Sequence, residues 1–129
     1  MKPQSLPKAC LLRKKSEFDT VYRHGKRVHG AHFSLILLPN NAVHNRLGIS
    51  IHGQLKGAAK RNRIKRIIRE FFRLNKNFLQ EHGSGSGKLP CMDIVVTVRQ
   101  GFSLKSPQEV AEAVGRLLKT KTPLLPQRA

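Results

Sequence analysis

The strongest constraint in this sequence is a basic segment, residues 60–76, in which apolar residues recur at helical spacing. Ile64, Ile67, Ile68 and Phe71 fall at i, i+3, i+4 and i+7, the period of an amphipathic helix. With about 100° of rotation per residue, these side chains share one face and polar side chains share the opposite one. The polar face holds Asn62, Lys65, Arg66, Arg69, Arg73 and Lys76, flanked by Arg61 and Arg63. The segment therefore predicts a helix from about residue 57 to residue 80, buried on one face and cationic on the other.

The cationic face carries almost no compensating acid. Glu70 is the only acid in residues 60–73, and cations stand four residues apart at Arg61, Lys65 and Arg69. Like charges at this spacing destabilise a helix, whereas an ordinary solvated helix intersperses acids that pair with its bases. A partner that supplies phosphates removes the repulsion, so we favour polyphosphate recognition over a solvated face. The amide of Asn62 suits a nucleotide edge or a metal-bound water.

The whole chain repeats this imbalance of charge. Its 129 residues contain 25 Lys and Arg but seven Asp and Glu, for a formal net charge of +18. Such an excess repels itself in a compact protein and favours an anionic partner, which is nucleic acid, an anionic membrane or an acidic protein. No apolar run approaches the roughly 20 residues of a membrane-spanning helix, and no signal-like apolar block follows the first lysines. We therefore predict one cytoplasmic domain that binds RNA or DNA, with no membrane and no small-molecule substrate.

The remaining segments predict an α+β fold, a small mixed sheet with three helices in a two-layer sandwich. A short helix begins at Ser16, with Asp19 as a loose capping residue, and stops at Gly25. Strands are predicted at residues 31–38, 46–51 and 92–98, with residues 26–30 as a further candidate. The short separation between the strands at 31–38 and 46–51 favours an antiparallel pair. The last helix begins at Ser106 and Pro107.

Composition also sets the domain boundaries. Residues 1–11 form a basic arm, residues 12–119 form the domain, and residues 120–129 form a tail rich in Lys and Pro. Inside the domain, residues 82–88 are predicted to be a flexible connector because they are rich in Gly and Ser.

With these residues in view, the chain resembles the protein subunit of bacterial ribonuclease P. The RNR motif of that family is matched by Arg61-Asn62-Arg63, and its continuation is matched by residues 64–69. Gly48-Ile49-Ser50-Ile51 is similar to the G-[LI]-S-V strand that precedes the motif helix. The first helix and the strand after it match through Phe18, Tyr22, His24-Gly25, Phe33 and Leu35. Residues 93–98 and the final helix extend the resemblance over about residues 12–119.

The resemblance implies 5′ maturation of precursor tRNA by a ribonucleoprotein endonuclease. In that family a catalytic RNA uses bound Mg²⁺ to hydrolyse the phosphodiester, and the protein is an accessory subunit without catalytic side chains. The implied partners are the catalytic RNA and precursor tRNA, and the Mg²⁺ is held mainly by the RNA, with Asn62 near a shared site. The resemblance also implies a left-handed crossover around the motif helix, against the usual right-handed rule.

Two binding surfaces carry over from the family. The motif helix would meet the catalytic RNA through Arg61, Asn62, Arg63, Lys65, Arg66, Arg69 and Arg73. A cleft between the first helix and the sheet would hold the single-stranded 5′ leader, with candidate residues Phe18, Tyr22, Phe33, Ile36, Lys14, Lys15 and Ser50. Phe18 and Tyr22 are the candidate platforms, because bases stack on aromatic rings without demanding a sequence. Plain core packing is the alternative for Phe18.

The chain also departs from the family pattern. Ser-Lys-Lys commonly follows the G-[LI]-S-V strand, whereas this chain has His52-Gly53-Gln54, with Lys56 and Lys60 nearby as candidate replacements for the missing cations. Position 36 is Ile where some relatives carry an aromatic residue.

Nothing in the sequence points to a nuclease site of the protein's own. Mg²⁺ chemistry needs clustered carboxylates, and the seven acids are scattered, at Glu17, Asp19, Glu70, Glu81, Asp93, Glu109 and Glu112. His32 and His52 could approach across paired strands, but we favour surface or RNA-contacting imidazoles. Cys10 and Cys91 match no metal spacing and are expected to be free thiols. A basic ribosomal protein is the main alternative function, and a DNA-binding architectural protein is a weaker one.

Overall fold

The computed structural model describes residues 10–40, 42, 44–51, 57–75 and 91–120. For residues 119 and 120 it describes the backbone alone. The elements are α1 (Lys15–His24), β1 (Lys26–His29), β2 (Phe33–Pro39), β3 (Arg46–Ile51), α2 (Ala58–Leu74), β4 (Met92–Val98) and α3 (Pro107–Thr120). Each begins where the sequence predicts it, including the candidate strand β1, but α2 ends at Leu74 and not near residue 80. Lys76 of the predicted polar face lies outside the described residues. Most of the predicted arm and tail, the connector at 82–88, and the departures at His52, Gly53, Gln54 and Lys56 lie outside the described residues.

The four strands form one mixed sheet in the order β1-β2-β4-β3. β2 pairs antiparallel with β1 and β4, while β3 pairs parallel with β4. The predicted antiparallel pairing of β2 with β3 is therefore wrong, because β4 lies between them. Parallel neighbours need a crossover connection, and the chain between β3 and β4 contains α2. The left-handed sense of this crossover stays a prediction.

The α+β class, the mixed sheet and the three helices are confirmed, but the helices cover both faces of the sheet. Leu35, Leu37 and Val96 pack with α2 and α3 in the larger core. Their neighbours Ile36 and Val95 pack with α1 in a smaller core. Because successive strand residues face opposite sides, these two cores lie on opposite faces. The predicted two layers are therefore three. Among the described helices, none combines the length and apolarity needed to cross a membrane.

Glu17, and not the predicted Asp19, caps the start of α1. Its Oε1 accepts hydrogen bonds from the backbone N–H groups of Arg13 and Lys14, at 2.9 and 3.0 Å. Its Oε2 lies 3.4 Å from Arg46 Nη1, and the same guanidinium donates two 2.7 Å hydrogen bonds to the buried carboxylate of Asp93. Arg46 therefore ties the start of α1 to β3 and β4.

The charge of Glu17 should contribute to stability above its pKa. The backbone hydrogen bonds from Lys14 and Arg13, followed by the charge of Arg46, hold the pKa of Glu17 below its usual 4.5. We expect Glu17→Gln to lower the free energy of unfolding by about 0.5–1 kcal/mol at neutral pH. A lowered pKa stabilises the fold above the unfolded value, so the difference should vanish as the pH falls below 4.5.

Chemical denaturation of both proteins between pH 7 and pH 3 measures this difference. Glu112→Gln, at an exposed position of α3, is the matched control and should leave the unfolding curve unchanged. A difference for Glu17→Gln that persists at low pH would contradict the electrostatic explanation.

Candidate nucleic-acid interface

The amphipathic helix predicted from the sequence is present as α2. Ile64, Ile67, Ile68 and Phe71 are buried in the larger core, as is Phe72. On the other side, Asn62, Arg63, Arg66 and Arg69 are exposed, and Arg61 and Lys65 are half-buried. We call these six residues the cationic face of α2.

The protein's own acids leave most of this face uncompensated. Within the described residues, Arg63, Lys65, Arg66 and Arg69 form no ion pair. Arg73 differs from the prediction, because its guanidinium is bound to Glu70, with Nε 3.0 Å from Oε1. This hydrogen bond lowers the pKa of Glu70. Arg73 is thus partly neutralised, and the charge without an ion pair among the described residues lies on Arg63, Lys65, Arg66 and Arg69.

A groove forms where α1 crosses the opposite face of the sheet. Phe18 packs directly on Gly48, so closely that a Cβ atom at position 48 would lie 2.7 Å from Phe18 Cζ. Tyr22, one turn later, is half-buried, and the guanidinium of Arg27 lies 5.7 Å from its ring centroid. Arg27 is held there by a 3.1 Å hydrogen bond from Nη2 to the Tyr22 carbonyl. The absence of a side chain at Gly48 lets α1 approach the sheet and present Tyr22.

Two predicted cleft residues do not line this groove. Phe33 is 1% exposed and packs in the larger core near Phe102, on the face away from α1. Ile36 is on the α1 face but is fully buried with Val21. Phe33 is on the wrong face because its side chain alternates with Ile36. Because both side chains are buried, Phe33 cannot stack on a base and Ile36 cannot contact a strand of RNA in this structure.

The other predicted cleft residues lie on the α1 side. Lys14 and Lys15 are exposed at the start of α1, and Ser50 is half-buried on the same sheet face as Gly48. Phe18 is half-buried and packs on Gly48, and its role as a stacking platform stays a prediction.

Several polar residues beside Tyr22 were missed from the sequence. They line an open pocket of about 570 Å³ at the end of the groove and include Arg27, His29, Ser34, Thr97 and Arg99. The two-residue spacing from Ser34 to Ile36 and from Val95 to Thr97 was a usable signal, since residues two apart on a strand share a face and both hydroxyls therefore lie on the α1 face. What the sequence did not provide was the pairing that makes Ser34 and Thr97 neighbours.

The described acids and histidines form no cluster of metal ligands. In the part of the chain that the structure describes, no three His, Cys, Asp or Glu residues are placed to hold a metal ion. His32 accepts a hydrogen bond from the backbone N–H of Ser103 and stacks edge-on against Phe102. The suggestion that His32 and His52 approach across paired strands assumed that β2 and β3 are neighbours. They are not, because β4 lies between them. The geometry is that of a binding surface.

A cationic helix on one face of the sheet and an aromatic groove on the other define a small basic nucleic-acid-binding protein. The family model for Ribonuclease P matches residues 6–122. The Ribonuclease P protein component of Desulfotalea psychrophila is 48% identical over 93% of this chain and 92% of that protein. The solved RNase P protein of Staphylococcus aureus superposes with a TM-score of 0.68 at 30% identity, over 87% of this chain and 94% of that one. For the RNase P protein of Thermotoga maritima the TM-score is 0.66 at 28% identity, over 87% and 97% of the two chains.

The chain belongs to the ribonuclease P protein family. It is the protein subunit of a ribonucleoprotein endoribonuclease that processes tRNA, and the alternative of a ribosomal protein has no support among these similarities.

Charge on the cationic face should set the salt dependence of RNA binding. We expect Arg69→Ala to reduce the slope of log K against log salt by up to about one unit, because each lost phosphate contact releases one fewer counterion. Adding Arg66→Ala should reduce it again. Filter binding to a ribonuclease P RNA across a salt series measures the slope.

The control is Lys105→Ala, which removes one charge from an exposed position just before α3. It should leave the slope unchanged. An unchanged slope in the Arg66/Arg69 double variant would remove α2 from the interface.

Proposed function

We propose that the cationic face of α2 binds the catalytic RNA, while the groove between α1 and the sheet holds the single-stranded 5′ leader of precursor tRNA. In this way the protein assists Mg²⁺-dependent removal of the leader in the bacterial cytoplasm. The observation that carries the proposal is the exposed set of bases on α2 that no described acid neutralises.

The cationic face suits folded RNA because its positive charge is rigid and continuous. Asn62, Arg63, Arg66 and Arg69 project from a helix whose opposite face is anchored by five buried apolar side chains. Such a helix fixes the backbone positions from which the guanidinium groups extend, and planar guanidinium groups bind phosphate in a bidentate manner. The side-chain amide of Asn62 both donates and accepts hydrogen bonds, whereas Arg can only donate them. Asn62 can therefore contact a base edge or a ribose hydroxyl more selectively than Arg can.

The groove suits a single strand because it combines an aromatic ring with positive charge. A base can stack on the half-buried ring of Tyr22, next to the guanidinium of Arg27. Lys14 and Lys15 are exposed at the other end of α1, where they can follow the phosphate backbone of the same strand. A duplex keeps its bases stacked on one another and offers none to Tyr22, so the groove favours unpaired nucleotides.

The described side chains do not fit a Mg²⁺ site made by protein alone. Glu17 and Asp93 are both bound to Arg46, and Glu70 is bound to Arg73. Mg²⁺ needs carboxylates that face one another around a single point. We therefore assign the Mg²⁺ ions to the RNA, and Asn62 is a candidate only for contact with a water molecule at the edge of such a site.

Reconstitution tests the proposed function directly. The full-length protein is combined with a bacterial ribonuclease P RNA at low Mg²⁺, and cleavage of precursor tRNA is measured. We expect the protein to restore cleavage that the RNA alone loses at low Mg²⁺. A protein that sediments with ribosomes and leaves cleavage unchanged would instead be a structural RNA-binding component.

The ring of Tyr22 should matter for precursor tRNA alone. We expect Tyr22→Ala to weaken precursor binding by the holoenzyme roughly 5- to 100-fold, since stacking contributes about 1–3 kcal/mol per base. Binding of tRNA without a leader should be unchanged. Tyr22→Phe is the matched control, because it keeps the ring and should bind precursor nearly as well as the unchanged protein. Equal losses for both RNAs would exclude the groove as the leader site.

A further inference from the structure

A second set of basic residues lies apart from α2, where α1 passes into β1. Arg23 and His24 are in the last turn of α1, and Lys26 is the first residue of β1. The side chains of Arg23 and His24 are exposed, and that of Lys26 is half-buried. We call these three residues the basic turn. The pocket at the end of the groove is lined by other residues, among them Tyr22 and Arg27.

No acid of the described protein compensates the basic turn. Within the described residues, the side chains of Arg23, His24 and Lys26 form no ion pair and no hydrogen bond. Asp19 lies one helical turn before Arg23 on α1, yet no ion pair joins the two in this structure. The charge of the turn is therefore available to an anionic partner.

Two effects within the free protein also favour bases at these positions. Cations in the last turn of a helix stabilise it through the helix dipole, which applies to Arg23 and His24. A charged side chain on an edge strand discourages pairing with another chain, which applies to Lys26. Neither effect involves RNA, so the salt dependence of RNA binding separates them from a binding role.

The basic turn is held firmly against the sheet. Gly25, between His24 and Lys26, donates a 2.8 Å hydrogen bond from its N–H to the Val21 carbonyl. A Cβ atom at position 25 would lie 2.7 Å from Ile36 Cγ2 on β2. This close packing fixes the backbone from which the three basic side chains extend, so less conformational freedom is lost when they bind a partner.

The basic turn faces away from both surfaces of the proposed function. In the strand order β1-β2-β4-β3, α2 packs against β3, whereas Lys26 lies on β1 at the opposite edge. Three strand spacings, roughly 14 Å, separate these two edges.

The side chains of the turn also point away from the groove. Arg23 follows Tyr22 on α1, so its side chain is rotated by about 100° from the ring of Tyr22. Lys26 shares the sheet face of Val28, which packs in the larger core on the side away from α1. RNA that lies on α2, or a strand that lies in the groove, therefore leaves the basic turn uncovered.

We propose that the basic turn binds the phosphate backbone of a second, base-paired segment of the catalytic RNA. The protein then joins two segments of that RNA, one on the cationic face of α2 and one at the opposite edge of the sheet. Positive charge without an aromatic ring suits a duplex, whose phosphates are accessible while its bases stay stacked. This role rests on the proposed function, since it takes the catalytic RNA to be the RNA bound on α2.

The catalytic RNA is a better partner for the basic turn than the mature part of tRNA. A contact with the mature part would hold precursor and product alike and would slow release of the product. The catalytic RNA stays bound through each cycle. Once it is held on α2, a second contact with the same molecule is intramolecular and adds affinity at little cost.

The first measurement is filter binding of the full-length protein to a bacterial ribonuclease P RNA across a salt series. The double variant Arg23→Gln/Lys26→Gln should lower the slope of log K against log salt by about 1–2 units, up to about one for each lost phosphate contact. Each single variant should lower it by up to about one unit, which tests the role even if the double variant folds poorly.

Two controls separate charge from other effects of substitution. Arg23→Lys/Lys26→Arg keeps both charges and should keep most of the slope. Lys105→Gln removes one charge from an exposed position just before α3 and should leave the slope unchanged.

The second measurement is hydroxyl-radical footprinting of the same RNA, which locates the contacts. Arg23→Gln/Lys26→Gln should lose protection of one segment, and Arg66→Ala/Arg69→Ala should lose protection of a different one. In a parallel arm the precursor tRNA is labelled in the assembled holoenzyme, and its protections should persist in Arg23→Gln/Lys26→Gln.

The possible failures are distinguishable. An unchanged slope in Arg23→Gln/Lys26→Gln would limit the basic turn to its effects within the free protein, and the inference would be wrong. It would also be wrong if both double variants lost the same segment, or if the loss appeared in the precursor tRNA instead. If Arg66→Ala/Arg69→Ala changes neither the slope nor the footprint, the proposed function of α2 itself fails.

Discussion

β4 hydrogen-bonds to β2 on one side and to β3 on the other, and its side chains alternate between two apolar layers. Ile94 and Val96 belong to the layer under α2 and α3, while Val95 belongs to the layer under α1. Because a strand shifted by one residue would exchange these faces, the register of β4 fixes the rest of the molecule. It decides which residues support the cationic helix and which lie beneath the groove. It also places Asp93 where Arg46 can link it to Glu17.

Acidic and basic side chains have different roles in this protein. The described acids with ion pairs stabilise helix ends and strand connections, as Glu17 does at the start of α1 and Glu70 does near the end of α2. Arg63, Lys65, Arg66 and Arg69 on α2 form no ion pair with the described acids. A surplus that the fold does not neutralise makes the free protein less stable than it would be with mixed charges. The fold keeps this surplus on a rigid helix, where an RNA surface can use it.

The sequence predicted the elements better than their arrangement. The buried face of α2 was predicted because its apolar residues from Ile64 to Phe71 follow one helical period over about two turns, although the helix ends at Leu74 and not near residue 80. The pairing of β2 with β3 was wrong, since proximity in sequence does not reveal that β4 inserts between them. Alternation along β2 already placed Phe33 and Ile36 on opposite faces, so a single cleft could not contain both. Thr97 was missed because it belongs to a polar row with Ser34 and Ser50. These residues are its neighbours only because β4 lies between β2 and β3.

The uncompensated bases of α2 also have a consequence for the cellular amount of this protein. An RNA that binds only the folded chain raises its stability as the logarithm of the RNA concentration. Copies that exceed the supply of RNA lack this stabilisation, so a larger fraction of them is unfolded at any moment and accessible to proteases. Under the proposed function, each surplus copy would be degraded faster than an assembled one, which would move the ratio of protein to RNA toward balance without a dedicated regulator.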